Sequence, residues 1–158
     1  MPRFFSNNRA IVLAKHLRSS AFICVCLAFT FNAAAEVTVK DAWVRGTVPA
    51  QTATGAFLTI TSTEDAKVVS ASSPIAKTAE IHMSMIQNGV NHMHPVDGLA
   101  LPAGKAVDLK PGGYHVMLMG LSKPVSAGDK VPIVLTVEDR KGKRSNVEVK
   151  AEVRPLGQ

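Results

Sequence analysis

The sequence predicts an all-β domain, a sandwich or barrel of short strands, behind a leader that is not part of it. Three observations carry this. Beyond residue 35 no long stretch keeps a helical period. Instead, short runs rich in Val, Ile and Thr recur about every ten residues, punctuated by Gly, Pro, Asn and Asp. No internal repeat, low-complexity tract or composition shift divides residues 36–158, so they are read as one domain.

The leader comes first. Residues 1–20 carry Arg3, Arg9, Lys15 and Arg18 and no acid, and the apolar run "AFICVCLAFTF" follows over 21–31. It ends in small residues, Ala33-Ala34-Ala35. A basic region, an apolar region and an Ala-rich site describe a Sec-type secretory signal peptide over 1–35, which predicts a periplasmic protein. The run is shorter than the ~20 apolar residues of a membrane span, so no stable membrane insertion is expected after cleavage. A lipoprotein signal needs a small residue before its cysteine; Ile23 and Val25 precede Cys24 and Cys26, and a lipid anchor is not expected.

Without the leader the chemistry changes. The chain has 18 Lys and Arg against 12 Asp and Glu, a formal charge of +6. The leader removes basic residues only, leaving a domain near neutrality and no argument for a nucleic-acid partner. Both cysteines leave as well, so the domain must hold without disulfides although export leads to a compartment that permits them.

The expected strands, in order, are 37–45, 54–62, 66–71, 78–86, 90–95, 105–109, 113–119, 131–139 and 145–153. Asn88-Gly89 joins the fourth and fifth and is a strong two-residue hairpin signal. "LPAGKAV", "KPGGYH" and "SAGDKVP" supply the next Pro/Gly turns. Arg140, Lys141, Lys143 and Arg144 enclose Gly142 in "DRKGKR", which reads as a solvated hairpin turn and not as a phosphate or membrane patch.

Methionine and histidine are not scattered over this framework. Past the leader, Met83, Met85, Met93, Met117 and Met119 lie in the same window as His82, His92, His94 and His115. Met used as general core filler would be spread through the other strands too. Alternation of side chains sorts them into faces. Met83 and Met85 share parity with Ile81 and are read as core packing, which turns His82 away from the core. In 113–119, Tyr114, Val116 and Leu118 form the buried face, and His115, Met117 and Met119 lie opposite. The hairpin at 87–89 brings Met93 toward His82, so His82, Met93, His115 and Met117 form a candidate cluster of two imidazoles and two thioethers. Soft, neutral thioethers favour Cu(I), and imidazole serves copper as well. Zinc sites make poor use of methionine, and no Cys-x-x-Cys-His motif points to haem.

The spacing His82-x10-Met93-x21-His115-x-Met117 resembles the signature of the periplasmic CuA chaperones, the PCu(A)C family. "DAWVRGTVPAQTATGAFLTI" (41–60) and "LPAGKAVDLKPGGYHVMLMGL" (101–121) resemble the family's opening strands and the segment leading into its His-x-Met strand. The resemblance spans essentially all of 36–158. It implies a cupredoxin-like Greek-key β-sandwich or barrel, with one Cu(I) on His82, Met93, His115 and Met117. It further implies delivery of that copper to the copper subunit of cytochrome c oxidase, at its CuA centre, by ligand exchange. A thiol-disulfide copper-assembly protein is a further implied partner, and a monomer is expected.

His92 and His94 flank Met93 outside that signature, and they are read either as surface variation or as an auxiliary Cu(II) position beside the Cu(I) site. Met119 has the right parity and the wrong spacing, which leaves it a rim residue or spare thioether. Some relatives carry a His/Met-rich tail where this sequence reads "AEVRPLGQ". Among other functions, electron transfer by a cupredoxin would need the missing cysteine ligand. Enzymatic catalysis is not expected, because no motif assembles nucleophile, base and oxyanion donors. A periplasmic buffering or resistance protein, holding copper instead of delivering it, is the alternative that uses the same ligands.

Overall fold

A computed structural model describes residues 35–156. The expected signal peptide therefore lies outside the described residues, except for its last position. Among the described residues there are strands and no helix. The strands are β1 (Val37–Arg45), β2 (Ala53–Ser62), β3 (Ala66–Ser72), β4 (Ala76–Gln87) and β5 (Val90–Pro95). They continue with β6 (Leu99–Leu101), β7 (Ala106–Leu109), β8 (Tyr114–Leu121), β9 (Lys130–Asp139) and β10 (Arg144–Arg154). The three-residue β6 was not expected from the sequence; the others fall within a few residues of their predicted ranges.

The strands form one wrapped sheet in the order β5-β4-β8-β2-β1-β10-β9-β3-β6, with β7 also paired to β2. Only β1 and β10 run parallel among the pairs. The sheet closes on itself with β3 against β4, so its inner faces share one core. Ala56, Leu58 and Ile60 from β2, Val116 and Leu118 from β8, and Ile133, Leu135 and Val137 from β9 meet there. Each set is spaced by two residues, the strand period. The β9–β10 connection is the turn expected at "DRKGKR": the Asp139 carboxylate accepts the Lys141 and Lys143 backbone N–H groups at 2.8 and 2.9 Å.

Two local features position the functional region. In β1 the pairing with β2 shifts between Lys40 and Trp43, and Asp41 sits at φ 52°. This bulge inserts one extra residue. Val37 and Val39 before it, and Ala42 and Val44 after it, all pack inward. Trp43 and Arg45 are thereby turned onto the outer face, opposite Phe57 and next to Gly55. The second feature is the β4–β5 hairpin, whose Asn88-Gly89 turn has φ 52° and 75°, both positive as a two-residue type I′ turn requires. Its outer half overhangs the core: Met85, Ile86, Val90 and Met93 are all exposed.

That overhang corrects one expectation. Met85 shares the parity of Ile81 but is 49% exposed, and Met83 is only partly covered. The core ends at Ile81, so neither methionine is a core residue.

Candidate metal centre

The outer face of β5-β4-β8-β2-β1 carries the predicted donors in three adjacent rows. In the middle row His82 on β4 stands directly opposite His115 on β8, and Phe57 and Trp43 extend the row beyond it. In the next row Met117 pairs with Glu80 on one side and Gly55 on the other. In the row toward the hairpin turn Met93 pairs with Ser84. Directly paired residues share a face. His82, His115, Met117 and Met93 therefore lie on one surface, a central imidazole pair flanked by one thioether on either side. Met93 is the diagonal neighbour of His82, whose direct partner on β5 is Pro95.

Exposure runs steeply across the group. His115 is 4% exposed and Met93 54%. A cleft of about 340 Å³ opens beside them, lined by His115, Met117, Met93, Gly55, Phe57 and Arg45 among others. His82 is not part of its lining; it stands against His115, with ring centroids 5.8 Å apart.

The imidazoles are held by acceptors that fix their tautomers. His115 Nδ1–H donates to the Gly113 carbonyl at 3.1 Å, which leaves Nε2 as its lone-pair nitrogen. His82 Nε2–H donates to Glu80 Oε2 at 3.0 Å, which leaves Nδ1. A carbonyl and a carboxylate can only accept, so these assignments follow from chemistry. Such outer contacts orient metal-binding histidines and raise their basicity. Burial lowers the pKa of His115 below its ordinary 6.5, the Gly113 hydrogen bond works against that, and the charges of His82 and Arg45 add to the lowering. The net result favours neutral imidazole, the form that binds metal.

His115 is buried on a nominally solvent-facing side because aromatic rings cover it. Trp43 and Phe57 pack with centroids 4.4 Å apart, and Phe57 lies 6.2 Å from His115. Arg45 stands over Phe57 at 5.4 Å and Arg154 over Trp43 at 5.0 Å, distances at which a cation is attracted to a ring face. Sequence reasoning passed over Trp43, Phe57, Arg45 and Glu80. The parity of Glu80 with His82 was visible; the orientation of Trp43 depends on the bulge.

Sulfur is needed for any four-donor site. Among the described residues no three His, Cys, Asp or Glu come together as a metal-holding group. Met119 lies on the same face, paired with Thr78 and Ala53, one row beyond Met117. His92 and His94 pair with Met85 and Met83, so they occupy the reverse face of the hairpin and are not beside the His82 cluster.

A family model described as "Putative lipoprotein LpqE-like" matches residues 37–153. "Putative lipoprotein Lxx21020" of Leifsonia xyli subsp. xyli is 36% identical over 104 residues, 65% of this chain and 63% of that protein. "Uncharacterized protein RP573" of Rickettsia prowazekii is 32% identical over 123 residues, 74% of this chain and 68% of that protein. The chain thus spans about two-thirds of the length of these relatives. Among solved structures, the copper-bound PCuAC domain from PmoF2 superposes with a TM-score of 0.62 at 20% identity, covering 78% of this chain and 97% of that one. The solution structure of CuI-DR1885 from Deinococcus radiodurans gives a TM-score of 0.58 at 32% identity, covering 83% and 87%. The first likeness concerns the fold alone, and it matches the cupredoxin-like sandwich expected from the sequence.

Proposed function

Because the chain belongs to the LpqE-like family and has the fold of the PCuAC domains, we propose that it is an extracytoplasmic copper chaperone. It binds one Cu(I) through His82, Met93, His115 and Met117. The observation that carries this reading is the gradient within the donor set, from His115 at 4% exposure to Met93 at 54%. The 32% identity to a protein solved as CuI-DR1885 supports the metal and its oxidation state. So does the donor chemistry: two imidazoles and two thioethers are neutral and soft, and they suit a monovalent soft cation.

Such a site is built to release what it holds. His115 is fixed at the floor by Gly113 and covered by Phe57, while Met93 stands at the rim on the edge strand. An acceptor thiolate approaching from solvent displaces the rim thioether first and the buried imidazole last, so copper passes by stepwise ligand exchange without a free ion. The recipient in this reading is the CuA centre in the copper subunit of cytochrome c oxidase, reached in the periplasm after a signal peptide over 1–35 is removed. A thiol-disulfide partner keeps that acceptor reduced.

The test is transfer. The chain loaded with one equivalent of Cu(I) is mixed anaerobically with a reduced, metal-free CuA fragment, and copper in each protein is measured after separation. Copper recovered on the fragment is the expected result. Retention on this chain would replace delivery with periplasmic buffering, and failure to load at all would overturn the metal assignment.

A further inference from the structure

We propose that the reverse face of the β4–β5 hairpin is a second Cu(I) site, formed by Met83, Met85, His92 and His94. The register places these residues in two direct cross-strand pairs, Met85 with His92 and Met83 with His94. Paired side chains start about 5 Å apart and successive pairs about 7 Å apart. The four side chains therefore leave the corners of a small rectangle on one surface, and each is long enough to reach its centre.

Neither methionine is needed to fill the core. Met85 is 49% exposed, Met83 is partly covered, and neither belongs to the core cluster that Ile81 joins on the same face. The His92 and His94 side chains are exposed and make no hydrogen bond or ion pair among the described residues. An exposed Met contributes little to folding, so Met85, with Met83 beside it outside the core cluster and both facing histidines, is accounted for by a soft ligand. The donor set repeats the two-imidazole, two-thioether composition of the first face, which again selects Cu(I). Its setting differs. Tyr114 pairs with Met83 and borders one corner, but both histidines stay exposed, and no backbone carbonyl or carboxylate orients their imidazoles. Both methionines must also be ordered on binding. The second site is therefore the weaker of the two and takes up copper only when the first is filled. Its existence does not depend on the first face delivering copper to any acceptor.

Titration of the chain with Cu(I) against a chromophoric chelator, under anaerobic reducing conditions, tests this. The unaltered chain should take up two equivalents, a tight one and a weak one. His92→Ala with His94→Ala should lose the weak equivalent and keep the tight one, whereas Met93→Leu with Met117→Leu should lose the tight one and keep the weak one. In methionine-methyl NMR with Ag(I) as a diamagnetic probe, the Met83 and Met85 methyls should shift with the second equivalent. A single equivalent on the unaltered chain would overturn the proposal, as would a weak equivalent that survives the double histidine substitution. A tight equivalent that survives Met93→Leu with Met117→Leu would instead strike the first-face assignment.

Discussion

Met93→Leu separates binding from folding more cleanly than any other change at the candidate centre. Met93 lies on β5, the edge strand of the sheet, and is 54% exposed. Leu nearly matches Met in volume and hides a similar area, and half of either side chain stays in water. The stability change should then fall within about 0.5 kcal/mol, which for a domain of this size moves Tm by only about 1–4 °C. Copper affinity should respond very differently. Loss of even an outer contact to a metal ligand costs about 10–100-fold in affinity, and loss of a donor should cost at least that, or about 1.4–2.7 kcal/mol. Cu(I) competition with a chromophoric chelator reads the affinity, and thermal unfolding of the metal-free chain reads the stability. Ile86→Leu serves as the control, since Ile86 lies further out on the same face of the hairpin and carries no donor. If Met93→Leu holds Cu(I) as tightly as the unaltered chain, Met93 is not a ligand and the three-row arrangement has been misjudged.

Three further outcomes follow from the geometry. Glu80→Gln removes the carboxylate that accepts from His82 Nε2 and should weaken Cu(I) by about 10–100-fold with little change in Tm; an unaltered affinity would mean that Glu80 does not orient His82. The pKa of His115 is lowered by burial, so its contribution to the stability of the metal-free fold is present above the unfolded value near 6.5 and is lost as pH falls through the lower folded value. Unfolding of His115→Gln should accordingly show a shallower loss of stability below pH 6.5 than the unaltered chain, and equal slopes would refute the burial argument. Gly89→Ala places a Cβ at φ 75° in open space, so only backbone strain of about 1 kcal/mol should appear, read as a drop in Tm and faster amide exchange in β5.

Much of the fold is written in alternation and turns. The Asn88-Gly89 hairpin and the two-sided character of Tyr114–Leu121 follow from residue types at a period of two, and both are present in the structure. Parity also assigned His82, Met93, His115 and Met117 to one face, because register in a hairpin is set by its turn. Parity is silent on how far the core reaches. It grouped Met85 with Ile81 correctly, yet the hairpin has left the core by that point. It is equally silent on bulges. Nothing in Lys40-Asp41-Ala42 announces an extra residue, since Asp41 adopts its positive φ without a glycine to mark it. The turning of Trp43 and Arg45 toward the site, and with it the burial of His115, was therefore invisible. β6 was missed because three residues, Leu99–Leu101, are too few to display a period.

The turn at Asn88-Gly89 also decides which donors the proposed first-face site presents. Met93 alternates with His92 and His94, so one residue inserted into the turn would rotate β5 by one position against β4. His92 and His94 would then look toward His82 and His115, and Met93 would look toward Met83 and Met85. The first face would gain imidazoles at the expense of sulfur, and its preference would move from Cu(I) toward Cu(II). In the proposed site, the oxidation state of the cargo is thus set by the length of a loop that never touches it.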